Sequence, residues 1–226
     1  MLAPLRELLA VVAPPGCLAC GRAVVAADVR LCGACVRAVP WLRAGCPRCG
    51  LPKHRGDRCP AAGAAFARAW APVAYRGVAR RLVHALKVRG SLPAADLMAA
   101  QIAANLPAEL RGSPAVLVPA PPVRGRRRAR GFDPAREIAA ALARRLELPL
   151  DGCLVRADRS ARQARLGRRE RRAPGRLVVR VRGSPPPVAV LVDDVHTTGA
   201  TLDACARALV GEGAAVLAAV SYARTL

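Results

Sequence analysis

Beyond residue 68 the apolar positions follow two alternating rhythms. In YRGVARRLVHALKVRG (75–90) and LPAADLMAAQIAANLP (92–107) they return at the spacing of one helix face. PAREIAAALARRLE (134–147) and TLDACARALVGEG (201–213) do the same. Asp133 stands as an N-cap before Pro134 at the first helical position. Between these segments lie short runs rich in Val, Leu and Ala: AVLVPAPP (115–122), RLVVRV (176–181), PVAVLVD (187–193) and AAVLAAVSYA (214–223). These runs predict strands. Strands alternating with helices predict an α/β fold, a mostly parallel sheet flanked by helices on both faces. In such sheets ligands sit outside the carboxyl ends of the strands.

The pattern is different before residue 62. Seven of the nine cysteines lie between 17 and 59, in the pairs Cys17/Cys20, Cys32/Cys35 and Cys46/Cys49, with Cys59 after them. Two CxxC pairs on facing turns bring four thiolates to one tetrahedral zinc, which assigns Cys17, Cys20, Cys32 and Cys35 to a structural Zn2+ site. A disulfide framework needs an oxidising compartment, and nothing in the sequence marks export. CPRCGLPKHRGDRCP supplies only three further thiolates, Cys46, Cys49 and Cys59. Either His54 completes a second zinc site, or it is a solvated loop residue beside a knuckle without metal. A region so short and rich in Gly and Pro needs a metal or a partner surface to fold.

Composition adds charge. The 226 residues are 53% hydrophobic and carry 37 basic against 15 acidic side chains, a net +22. Only Lys53 and Lys87 are lysines. Residues 124–182 hold nineteen arginines and six acidic residues, +13 of that total. Such a surface attracts nucleotides, nucleic acid or anionic membrane, although a bias towards Arg and Ala accounts for it equally well. The segment has one aromatic residue, Phe132, and so lacks the stacking platform of single-strand binders. The apolar stretch LAPLRELLAVVAPP (2–15) is short, contains Arg6 and Glu7, and is expected to form a packed helix rather than a membrane span or leader. A cytoplasmic location is expected.

The chemistry concentrates in VAVLVDDVHTTGATL (188–202). Carboxylates at the end of a buried strand are costly unless they meet donors or cations. The run Thr197, Thr198, Gly199, Ala200, Thr201 then opens a helix, whose N-terminal N–H groups and hydroxyls form an anion cradle. One end suits vicinal hydroxyls and the other phosphate, so a ribose 5-phosphate satisfies both. The alternative is an acidic turn capping a helix, with Thr198 or Thr201 as cap.

This stretch resembles the phosphoribosyl pyrophosphate (PRPP) loop of type I phosphoribosyltransferases. The chain as a whole resembles the ComF family, which joins a double zinc ribbon to a phosphoribosyltransferase-like domain. The likeness rests on CLAC, LCGAC, CPRCGLP, LVHALKVRG, VPAPP followed by RRRARGF, the Gln163–Arg171 segment and VLVDDVHTTGAT. It implies a zinc-ribbon domain over 14–62 and a phosphoribosyltransferase-like domain over 68–226. It further implies that Asp193 and Asp194 bind the ribose hydroxyls of PRPP with Mg2+ nearby, and that Thr197 to Thr201 hold the 5-phosphate. Lys87, Arg126, Arg127, Arg128 and Arg130 would face the phosphates, and Gln163 and Arg171 would lie on a loop closing over the site. The family's RGFNQ-like stretch reads RGFDP here. The activity implied is transfer of phosphoribosyl to an acceptor the sequence does not identify. The other readings are a PRPP sensor without turnover and a single-stranded DNA-binding factor in the DNA uptake of competent cells. Cys153 and Cys205 are expected to be packing residues.

Overall fold

The computed structural model describes residues 15–26, 28–43, 45–54, 58–112, 114–122, 130–156 and 177–226. The expected helix at 2–15 falls outside them except for its last residue, as do Arg126, Arg127, Arg128, Gln163 and Arg171.

The amino-terminal region is built on two similar turns. In CLACG, Gly21 N–H donates to Cys17 O and Cys17 N–H to Arg22 O, each at 2.8 Å. In CPRCG, Gly50 N–H donates to Cys46 O at 2.8 Å and Cys46 N–H to Leu51 O at 2.9 Å. Both turns close through a left-handed residue, Gly21 at φ 76° and Gly50 at φ 71°, which is why glycine follows each CxxC. A short helix α1 (Gly33–Arg37) starts inside the second pair of the first cluster, with Cys32 as its N-cap and Cys35 within it.

A parallel sheet follows. Its strands are β1 (Arg68–Trp70), β2 (Val73–Ala74), β3 (Val116–Pro119), β6 (Val188–His196) and β7 (Ala215–Arg224). The order is β1–β7–β6–β3, with β2 continuing the β1 edge along β7. All these pairings are parallel. The helices are α2 (Gly77–Arg89), α3 (Leu92–Asn105), α4 (Ala108–Arg111), α5 (Pro134–Leu146) and α6 (Ala200–Gly211). Asp133 caps α5 as expected, accepting from Ala135 N–H at 3.1 Å.

Strand alternation sends β6 side chains to two cores. Val190 and Val192 face the layer of α2, α3 and α5, where Leu82, Leu86, Met98, Ile102, Ile138 and Leu142 are fully buried. Ala189 and Leu191 face α6 and Phe66. The abundant alanines of α3 and α5 pack in that first core and let the backbones approach closely. Tyr222, buried there, donates its hydroxyl to Gln101 Oε1 at 2.8 Å.

RLVVRV does not join the main sheet. Its last three residues form β5 (Val179–Val181), which pairs antiparallel with β4 (Leu154–Arg156) and covers the α6 side as a separate two-stranded ladder. The strand expected to stop at Asp193 continues to His196, because β7 pairs with it through Arg224. Among the described residues no helix is long and apolar enough to cross a membrane.

Candidate functional site

At the carboxyl ends of β3 and β6 lies a cleft of about 340 Å³. Asp193, Asp194, Thr197 and Thr201 line it, together with Lys87, Arg130 and Arg156. The two carboxylates are neighbours on one strand and so lean to opposite faces. Asp194 turns to the α2 layer, where Lys87 Nζ lies 2.8 Å from its Oδ1. Lys87 stands in the last turn of α2, just before Gly90 ends that helix. One of only two lysines in the chain is thus paired with the buried member of the acidic pair.

Asp193 turns toward α6. Its Oδ1 accepts the Asp194 N–H at 2.8 Å. Desolvation, then the charge of Asp194, raises its carboxyl to about 8, well above the ordinary carboxylate range. The site therefore holds one ion-paired carboxylate and one whose negative charge is costly until a donor or cation arrives.

The loop after β6 reaches α6 through Gly199, at φ 83°. A Cβ there would lie 2.8 Å from His196 Nε2 as well as straining the backbone, so the position demands glycine. Gly199 itself occupies the N-cap position, and no side chain caps the helix. Thr198 Oγ1 makes only a 3.4 Å contact with Ala200 N–H. The first-turn N–H groups of α6 keep their capacity for a ligand anion. Thr198, Gly199 and Ala200 border a second cavity of about 210 Å³, on the side of Cys49, Phe66, His196 and Arg224. His196 is buried, and burial followed by the nearby Arg224 charge lowers its pKa to about 4. It is a neutral ring packed edge-on to Phe66, with centroids 6.4 Å apart.

Arg156, Tyr75 and Phe132 are among the cleft residues that had no individual site role assigned from the sequence. Arg156 projects from β4 and donates Nε to Pro121 O at 2.9 Å, bridging the two-stranded ladder to the loop after β3. Tyr75 and Phe132 add apolar wall. The strands at Arg156 and just before Tyr75 are too short to show a period. Cys153 and Cys205 are buried, and burial raises the Cys205 thiol to about 12, so both act as packing residues.

None of the nine cysteines forms a disulfide. The ligand atoms of Cys17, Cys20, Cys32 and Cys35 lie within 4.8 Å of one another, as do those of Cys46, Cys49, His54 and Cys59. The sulfurs of Cys20 and Cys32, and of Cys46 and Cys59, are 3.8 Å apart. That matches the edge, about 3.8 Å, of a tetrahedron with zinc–sulfur bonds of about 2.3 Å, and is far too long for a disulfide. His54 Nδ1 is buried without a hydrogen-bond partner among the described residues, which suits a metal ligand. The donor sets fit two structural zinc ions, one held by four thiolates and the other by three thiolates and an imidazole.

Residues 8–63, which take in both clusters, match the model of the double zinc ribbon domain. No curated protein matches the chain. Similar solved structures include orotate phosphoribosyltransferase from Aeropyrum pernix, at 25% identity and a TM-score of 0.33, over 63% of this chain and 61% of that one. Adenine phosphoribosyltransferase from Leishmania donovani is similar at 24% identity and a TM-score of 0.33, over 62% and 55%. The chain spans less than two thirds of the length of either. Its amino-terminal quarter is thus similar to double zinc ribbon domains, and about three fifths of it to parts of two phosphoribosyltransferases.

Proposed function

We propose that the cleft binds PRPP with Mg2+ and that the protein transfers phosphoribosyl to an acceptor nucleophile. One observation carries the reading: a carboxylate pair, one member of it buried, shares one cleft with two arginines and with Thr197 and Thr201, which flank an uncapped helix N-terminus. The ribose 2- and 3-hydroxyls would donate to Asp193 and Asp194. The N–H groups and hydroxyls of Thr197 to Thr201 would take the 5-phosphate. Arg130 and Arg156, with Arg126, Arg127 and Arg128 from the adjoining segment, would face the pyrophosphate. Lys87 fixes Asp194 and leaves Asp193 as the carboxylate that responds to ligand. Mg2+, when bound, would neutralise part of the pyrophosphate charge beside the carboxylates.

In the reaction the bond from ribose C1 to the pyrophosphate oxygen breaks, and one from C1 to the acceptor forms. Positive charge develops on the ribose ring and negative charge on the departing oxygens. The carboxylates stabilise the first and the arginines the second. Gln163 and Arg171 belong, on this reading, to a segment that excludes water during the exchange. His196, neutral and buried behind the loop, has no part in proton transfer. On the ComF resemblance the proposal extends to a cytoplasmic role in DNA uptake, with the arginine-rich segment meeting single-stranded DNA.

The test is thermal unfolding with and without ligand. PRPP and Mg2+ at a hundredfold excess over Kd stabilise the folded state by about 2.7 kcal/mol, a rise in Tm of roughly 5–10 °C for a chain of this size. The double variant Asp193→Asn, Asp194→Asn should fold and lose that rise. An undiminished rise in the double variant would remove the acidic pair from the site.

A further inference from the structure

The second cysteine cluster lies against the loop that opens α6, and one side chain joins them. Arg224, at the end of β7, is only 5% exposed. Its Nε donates to the carbonyl of Cys49 at 3.2 Å. Its Nη1 donates to the carbonyl of His196 at 2.8 Å and to that of Thr197. Thr225 N–H donates to the same His196 carbonyl at 3.0 Å. Cys49 is itself one of the four candidate ligands of the second metal.

The direction of those carbonyls decides the direction of the next donors. A trans peptide places its C=O and N–H on opposite sides, and no peptide bond among the described residues is cis. With the carbonyls of His196 and Thr197 held back on Arg224, the N–H groups of Thr197 and Thr198 point away from it. Arg224 borders the cavity of about 210 Å³ on the ribbon side. Thr198 borders that cavity too, while Thr197 and Thr201 line the cleft with the carboxylates.

A second set of bonds seats the ribbon on α6. Arg48, inside the CPRC knuckle, donates to the carbonyls of Ala61, Ala62, Ala64, Phe66 and Ala67. The segment so held accepts Arg207 Nη2 at Gly63 O, 2.6 Å, and donates Ala65 N–H to Asp203 Oδ1 at 2.9 Å. Asp203 lies in the first turn of α6.

We propose that Arg224 is a positioning residue for the phosphate loop, and that metal at Cys46, Cys49, His54 and Cys59 fixes the loop through it. The metal orders Cys49, the Cys49 carbonyl orders the guanidinium, and the guanidinium orders two loop carbonyls and hence two anion donors. The second ribbon is therefore a determinant of phosphate affinity, whereas the first cluster packs with α2 and α3 and its Leu18 carbonyl accepts from Arg89 Nη2 at 2.9 Å, in the last turn of α2. The ligand affected is the phosphate end of PRPP, so this part rests on the reading above. The loop order does not.

The experiment uses the intact protein without ligand. Backbone amide order parameters of Thr197 and Thr198 are measured by nuclear magnetic resonance, and zinc by elemental analysis. In the wild type the two amides should be rigid, about 0.85, with two zinc ions bound. Arg224→Lys keeps the charge but loses the fork that reaches the carbonyls of Cys49, His196, Thr197 and Thr225. It should bring both amides below about 0.6 while both zinc ions stay. His54→Ala should lose one zinc and loosen the same amides. If His54→Ala fails to fold, stepwise chelation of the wild type replaces it, with zinc release and loop order followed together. In both variants affinity for Mg-PRPP should fall about tenfold, the loss of about one good hydrogen bond. Rigid amides in Arg224→Lys would overturn the positioning role. Rigid amides after loss of the second zinc would overturn the metal's part. A wild type that binds no Mg-PRPP would refute the phosphoribosyl reading and leave the order-parameter result standing by itself.

Discussion

Replacing Asp193 by asparagine should stabilise the ligand-free protein at alkaline pH and disable it at the same time. The Asp193 carboxyl is raised to about 8, first by desolvation and then by the charge of Asp194. The native state therefore holds this proton more tightly than the unfolded chain does. Stability from this group is complete below the unfolded value near 4 and is lost as pH rises through about 8. Between pH 6 and pH 8 the two pH units correspond to at most about 2.7 kcal/mol. Asp193 is half-buried at an open cleft, and water there reduces the figure to roughly 1–2 kcal/mol. For a chain of this length that is roughly 2–8 °C in Tm. Melting curves in phosphate-free buffer at pH 6, 7 and 8 would show it, a range that keeps the cysteine clusters metallated. The advantage of Asp193→Asn over wild type should grow with pH across this range. Isothermal titration of wild type in buffers of different ionisation enthalpy should further show a proton released on Mg-PRPP binding at pH 7. A pH-independent difference, or binding without proton release, would refute the claim that Asp193 awaits a cation or donor.

Two further outcomes follow from the same site. Gly199→Ala should lower stability by about 1–2 kcal/mol, from the left-handed backbone and the collision with His196, and should weaken Mg-PRPP more than it weakens the fold; melting and titration measure the two. If the basic segment meets a polyanion backbone, replacing Arg126, Arg127 and Arg128 by alanine should flatten the salt dependence of single-stranded DNA binding by up to about three units, and DNA should compete with PRPP. An unaltered slope without competition would assign the arginines to composition alone.

The parts legible in the sequence are those whose causes are local. A helix face repeats within one segment, so α2, α3, α5 and α6 could be read from spacing. The CxxC pairs carry their ligand geometry in two intervening residues, and strand–DD–TTGAT–helix is a single continuous stretch. The edge strands β1 and β2 were not legible. They have three residues and two, and only pairing with β7, about 150 positions later, makes them strands. RLVVRV reads like the other apolar runs, yet its partner is β4 outside the main sheet. Arg224 is one of thirty-five arginines and follows an ordinary strand. Its importance comes from the register that sets it beside His196, which no local pattern encodes.

That register has a consequence for the order of assembly. β7 is an inner strand, paired with β1 and β2 on one side and β6 on the other, and it follows every other strand of the sheet in the chain. Until its residues have left the ribosome, β1 has no partner and the sheet consists of β3 and β6 alone. The cysteine turns, by contrast, are closed by contacts within a few residues and can take up metal while synthesis continues. Long-range parallel pairing is slow to form and leaves strand edges open in the interval. The nascent chain thus carries finished metal knuckles beside an unfinished sheet. Arg224, at the far end of β7, joins the phosphate loop only after every other part of the sheet has been made.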